Sequence, residues 1–287
     1  MAHIPVLTAN GQGVAEAWEH SVKQVYQHGC ELTTMYDQTG DPPSKDATMM
    51  ITVMDPLAEP RIHKDLQGGL ETLQEYVMEV TEGIKDHLVR DPGEPDDARW
   101  AYTYHGRLFN FTVPGHEAGY DQMESMVHKL AESPYTRRAQ AVTWKVWEDN
   151  ECSDPACLQS IWCRLMPDGE EYFLNTNVRF RSNDAYKAAF MNMYALVELQ
   201  RKIAARVGEM LGTEVKLGRY VHFADSYHIY GSDLDEFNRR FLRSLENRSF
   251  EQRTYRQEEV EDIMRDAKPA IYRKAQKLGS NRGHTRS

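Results

Sequence analysis

Between Pro155 and Tyr194, the Cys157 thiol, the Arg179 and Arg181 guanidinium groups and the Asn192 amide have the chemistry to work on a small polar molecule. A thiolate is the nucleophilic form of cysteine, and nearby positive charge lowers its pKa. A thiol beside guanidinium groups is therefore an arrangement suited to covalent catalysis. A hairpin must bring them together. IWCRLM and EYFLNTNVRF are rich in aromatic and β-branched residues, and Pro167-Asp168-Gly169 between them has strong turn chemistry. Pairing about that turn makes residues equidistant from Asp168 cross-strand neighbours, which sets Cys157 near Arg179 to Arg181. The alternative is a structural thiol, since free cysteines are mostly small buried hydrophobes.

The segment after the hairpin reads as a buried helix. Ser182, Asn183 or Asp184 can cap its start, and Tyr186, Phe190, Met193, Val197, Ala204 and Val207 recur at helical spacing. Between Lys187 and Glu198 nearly every residue is apolar, and Asn192 is the exception. A buried amide left without partners costs roughly 1 to 3 kcal/mol, so Asn192 should bond a neighbouring loop or a ligand. Its paired donor and acceptor suit the edge of a pyrimidine or an amide-like ligand.

The 287 residues, 40% hydrophobic and 27% charged, suffice for one large core or two modest ones. Neither a repeat nor a linker divides them, so residues 1–287 are expected to form a single domain. The formal charge of -10 speaks against a general nucleic-acid binder but allows a local basic pocket for one phosphate. No apolar run reaches membrane-spanning length, and MAHIPVLTANGQG lacks the parts of a signal peptide, which points to the cytoplasm. Cys30, Cys152, Cys157 and Cys163 are too unevenly placed for a disulfide framework. Without a CxxC or HExxH spacing, no metal is expected.

Val14 to Gly29 reads as an amphipathic helix, and QTGDPPSKDA as an exposed loop before the strand TMMITVMD. Leu70 to His87 reads as a second helix, with Glu75, Glu79 and Glu82 on a polar side. DPGEPDD is a break, and Asp121-Gln122 opens a further helix. VKLGRYVHFADSYHIYG is strand-like, while Leu234 to Leu245 and Gln257 to Leu278 are helical. The polar residues 279–287 are expected to lack regular structure.

PACLQ around Cys157, FRSND at Phe180 to Asp184, Asn192, and HIY at His228 to Tyr230 together resemble the thymidylate synthase superfamily, which includes pyrimidine nucleotide hydroxymethylases. TRR at Thr136 to Arg138 and TW at Thr143-Trp144 extend the likeness upstream, with Arg137 twenty positions before the cysteine. It spans roughly Tyr102 to Tyr230 and is most similar to the archaeal and phage-like branch.

The resemblance implies an α+β fold, a large mixed β-sheet flanked by helices, assembled as a sheet-mediated homodimer. It implies transfer of a one-carbon unit from 5,10-methylenetetrahydrofolate to carbon 5 of a pyrimidine nucleotide, with Cys157 as nucleophile at carbon 6. Arg137 and Arg138 would reach the phosphate bound to the other subunit, because planar guanidinium donors take phosphate oxygens two at a time. Arg181 would contact phosphate and sulfur, Ser182 the phosphate, Asn192 the base, and His228 and Tyr230 the 3′-hydroxyl of the sugar. Asp184 matches the aspartate that holds the folate pterin, and Tyr104 the tyrosine that helps remove the carbon 5 proton. By residue type alone, Arg137-Arg138 would be ordinary surface, and His228 and Tyr230 polar tips at a strand end.

The family's general-base glutamate aligns with Tyr76, which leaves Glu79 or Glu75 as the carboxylate for that role. Lys145 stands where relatives often carry Asn, Leu158 where bacterial enzymes carry His, and the family's short apolar tail is absent. Methylation of dUMP to dTMP is the favoured reaction, because cytosine-specific relatives tend to carry aspartate in the column of Asn192. Hydroxymethylation of dUMP, dCMP or CMP, and nucleotide binding without catalysis, are the alternatives.

Overall fold

The computed structural model describes residues 3–90 and 99–280. The DPGEPDD break and the tail from Asn281 lie outside the described residues. The chain runs β1 (Val6–Gly11), α1 (Val14–His28), β2 (Cys30–Leu32), β3 (Ser44–Val53), β4 (Ile62–His63), α2 (Gly69–Glu82) and α3 (Tyr104–Phe109). It continues with α4 (Gln122–Glu132), β5 (Gln140–Val142), α5 (Val146–Asp149), β6 (Leu158–Asp168), β7 (Glu171–Asp184), α6 (Ala189–Leu211) and β8 (Val215–Ile229). Short helical turns then lead to a C-terminal helix, Gln257–Ser280.

The main sheet has the order β1-β3-β8-β7-β6-β5, with β2 added to β3. β1 and β3 pair in parallel, as do β7 and β8, while β3 with β8, β6 with β7 and β5 with β6 are antiparallel. It is therefore a mixed sheet, as expected. Period-two alternation sends Ile161, Cys163, Leu165, Val178, Phe180 and Tyr220 into the core. The helices α1, α4 and α6 cover that side. The alternate positions, among them Trp162, Arg164, Met166, Asn177, Arg179 and Phe223, stay exposed or half-exposed, so among the described residues the other face of the sheet has no covering layer.

Several boundaries differ from those read from sequence. The hairpin turns on Gly169-Glu170, with Asp168 paired to Glu171 and Gly169 at φ +61°, one step later than a turn centred on Asp168. β7 runs on past Phe180 to Asp184, because its parallel ladder with β8 continues to the Asp184 and His228 pair. Ser182 to Asp184 are therefore strand residues, and α6 begins at Ala189 without a side-chain cap. α2 stops at Glu82, where Gly83 takes a left-handed φ of +66°, and the expected continuation to His87 is a separate short turn. β3 starts at Ser44 rather than Thr48, since β2 pairs with its first residues. The C-terminal helix reaches Ser280, two residues into the expected tail.

Candidate active site

Cys157 stands where the chain enters β6, half-buried, beside a register shift between Leu158 and Ser160. Arg181 on β7 clamps this entry. Its backbone N–H donates to the Cys157 carbonyl at 2.8 Å, Nε to the Ala156 carbonyl at 3.1 Å and Nη2 to the Pro155 carbonyl at 2.6 Å. Burial pushes the Cys157 thiol above its ordinary pKa; the Arg181 charge opposes that rise and Asp154 adds to it. Arg179 does not join them. It lies two residues earlier on β7, exposed, with Nε and Nη2 donating to the Asp225 carboxylate at 3.1 and 2.9 Å. Only one of the two expected guanidinium groups is therefore at the thiol.

Besides Tyr230, three phenols lie within electrostatic reach of Cys157: Tyr76 from α2, Tyr102, and Tyr104 at the start of α3. Tyr104 is fixed because Thr103 caps its helix, accepting the Gly106 N–H at 3.0 Å. Its hydroxyl accepts the Leu158 N–H at 3.3 Å, which ties it to the residue after the thiol. Burial raises the pKa of all three phenols, so they are neutral hydrogen-bond donors. Together with Glu79, Trp100 and Asp154 they line a cavity of about 490 Å³.

Glu79 bonds Lys85 Nζ at 2.9 Å, and Glu75 shares the same ammonium at 2.8 Å. Burial raises the Glu79 carboxyl above its usual pKa despite the pull of Lys85. Burial also acts on Glu75, but its bonds to Lys274 and Lys85 bring it below the ordinary value. Glu75 is thus committed to the C-terminal helix through Lys274 at 2.7 Å, and of the two glutamates it is Glu79 that lines the cavity. Asn192, buried on α6, accepts a hydrogen bond at Oδ1 from the Tyr76 hydroxyl.

The parallel ladder of β7 and β8 sets Ser182 opposite Ser226 and Asp184 opposite His228. Asp184 Oδ1 accepts the Tyr186 and Lys187 N–H groups, both at 2.9 Å, and burial pushes its carboxyl up to about 6. The turn it holds is anchored to α1, where Trp18 Nε1 donates to the Ala185 carbonyl at 2.8 Å. Ser226 Oγ donates to Asp46 Oδ2 at 2.7 Å and lies 3.2 Å from His228 Nδ1. With its proton given to Asp46, Ser226 accepts from Nδ1–H, which makes Nε2 the acceptor nitrogen. Nε2 is buried without a partner among the described residues, and burial lowers the His228 pKa. The Tyr230 ring meets the His228 ring edge-on at 4.6 Å and packs against Tyr36 at 6.0 Å.

Arg137 and Arg138 are exposed just before β5, with the Arg137 carbonyl accepting the Trp162 indole N–H at 3.1 Å. Among the described residues, neither guanidinium is brought to Cys157 by its own chain. Lys145 is buried and donates to Thr112 Oγ1 at 2.6 Å and Glu148 Oε1 at 3.1 Å, which makes it a packing residue. Leu158 is a core side chain. Sequence reasoning missed the supporting residues: Ser226 and Asp46 behind His228, Tyr36 beside Tyr230, and Tyr102. Only Tyr102, two residues before Tyr104, carried a signal, in its neighbourhood to the Tyr-Gly segment.

Residues 72–270, well over half of the chain, match the family model described as thymidylate synthase. A protein of Methanosarcina acetivorans named "putative thymidylate synthase" is 28% identical over 225 residues, spanning 78% of this chain and 89% of its own. A protein of the same name from Methanocaldococcus jannaschii is 28% identical over 239 residues, spanning 81% and 95%. Both are archaeal, in keeping with the branch the motifs resemble. The fold is that of thermostable thymidylate synthase A from Bacillus subtilis, with a TM-score of 0.58 and 19% identity over 79% of this chain and 83% of that one. A thiol clamped by an arginine among phenols, and a family match over most of the chain, lead to one conclusion: the chain belongs to the thymidylate synthase family.

Proposed function

We propose that this member methylates dUMP to dTMP through covalent catalysis by Cys157. Membership of the family carries folate-dependent one-carbon transfer to a pyrimidine nucleotide, with 5,10-methylenetetrahydrofolate as cosubstrate. The observation that carries the mechanistic reading is the Cys157 thiol beneath the Arg181 clamp, within electrostatic reach of three phenols that line a cavity together with Glu79. The neutral amide of Asn192 beside that wall supports uracil as the base.

The Cys157 thiolate adds to carbon 6 of the pyrimidine, and the electron pair displaced from the double bond makes carbon 5 the nucleophile. Arg181 lowers the cost of that thiolate in a buried place. Arg181 and Ser182, with Arg137 and Arg138 of a second copy, hold the phosphate, while His228 Nε2 accepts the 3′-hydroxyl proton beside Tyr230. Tyr104 takes part in removing the carbon 5 proton. Glu79, held above the usual carboxylate range by burial, is the group on the cavity wall best placed to exchange it with solvent. The aromatic cavity and the raised Asp184 carboxyl, with one oxygen already fixed by two N–H donors, fit a flat pterin with ring N–H groups. Bound 5,10-methylenetetrahydrofolate supplies the one-carbon unit and, in methylation, the hydride.

A hydroxymethylase acting on dUMP, dCMP or CMP is the second reading, favoured by Tyr76, a phenol beside Asn192 where the family's carboxylate aligns. The uncovered sheet face supports a twofold homodimer that brings the shared arginines to each site. The continuous core supports a single domain, and the four free cysteines suit the cytoplasm. Cys157→Ser tests the covalent step: product formation should vanish while nucleotide affinity survives. Persistent turnover in that variant refutes the mechanism.

A further inference from the structure

The pairing of Tyr76 with Asn192 joins two helices that pack against each other, α2 and α6. Burial, followed by the charge of Glu79, keeps the phenol protonated, so the hydroxyl donates and Asn192 Oδ1 accepts. The two ends of an amide have nearly the same shape, and rotation by 180° exchanges an acceptor for a donor. Uracil shows a ligand a donor at N3 and an acceptor at O4; cytosine shows the reverse, an acceptor at N3 and a donor at N4. A freely rotating amide serves both bases. Asn192 is not free to rotate. Turning it over would set Nδ2 against Tyr76 and leave the phenol proton to find another acceptor inside a buried cluster, which is unfavourable.

We propose that Tyr76 sets the orientation of the Asn192 amide and thereby the choice between uracil and cytosine. Tyr76 is a positioning residue: it acts on the base through Asn192. The inference rests on the nucleotide site described above and deepens it, because it assigns the discrimination to a pair of residues 116 positions apart.

Calorimetric titration of the full-length protein with dUMP and with dCMP tests it. The wild type should discriminate between the bases, and Tyr76→Phe, which keeps the ring, should bring the affinity ratio toward one by about tenfold, the worth of one hydrogen bond. In an Asn192→Ala background the same substitution should leave the ratio unchanged, an outcome that general loosening of α2 would not produce. An unchanged ratio in Tyr76→Phe, or a wild type that binds both bases equally, overturns the inference and leaves the nucleotide site standing. Failure of the wild type to bind either nucleotide overturns the site itself.

Discussion

At Cys157 two influences oppose each other: burial keeps the thiol protonated, and the guanidinium clamp of Arg181 pulls the other way. Burial prevails, so reactivity should grow as pH rises through a value above the ordinary thiol pKa of about 8.5. Arg181→Ala removes the opposing charge, and the midpoint should then move further up. Iodoacetamide labelling of the Cys157 peptide against pH, read by mass spectrometry to separate it from Cys30 and Cys152, checks both statements. A midpoint that falls in Arg181→Ala would contradict this electrostatic description. The same opposition recurs at Glu79, where burial outweighs Lys85. It also shapes His228, whose Nδ1 is tied to Ser226 so that Nε2 remains an acceptor.

Among elements, the hairpin of β6 and β7 does most to build the site, and its turn needs Gly169 at φ +61° with open space where a side chain would go. Gly169→Ala should cost about 1 to 2 kcal/mol, the penalty of a left-handed conformation for an L-residue. A lower urea midpoint at constant slope is the expected result, and an unchanged midpoint would remove strain as the reason for this glycine. The approach of Cys157 to Arg181 was legible in the sequence because a hairpin register can be counted out from a local turn. Arg179 was misplaced by the same count because the turn falls later than Asp168 and a register shift follows Leu158, which sets Arg179 opposite Ser160, where it pairs with Asp225 of β8, 46 residues away. The extension of β7 to Asp184, the bond from Tyr76 to Asn192 and the support of His228 by Asp46 all depend on chain segments that meet only after folding. No local pattern announces such pairs. The family motifs reached the ends of those contacts, Asn192 and His228, but not the residues that hold them.

At the scale of the whole molecule, the sheet face left uncovered by the described residues and the exposed Arg137 and Arg138 belong to one question, since the proposed twofold dimer would explain both. The protein should sediment at twice the 33.2 kDa chain mass, and Arg138→Ala should weaken nucleotide binding by about 1.5 to 3 kcal/mol, one charged hydrogen bond. Mixing Arg138→Ala with Cys157→Ser should restore one site of full affinity and activity per mixed dimer, because each variant supplies what the other lacks. No restoration would place Arg138 outside a shared site. The most direct test of the central claim is the mass of the nucleotide product after incubation with 5,10-methylenetetrahydrofolate and a mixture of dUMP, dCMP and CMP. A methyl increment on dUMP alone, with dihydrofolate appearing in step, is expected. A hydroxymethyl increment, or folded protein that leaves all three nucleotides unmodified, would contradict thymidylate synthesis.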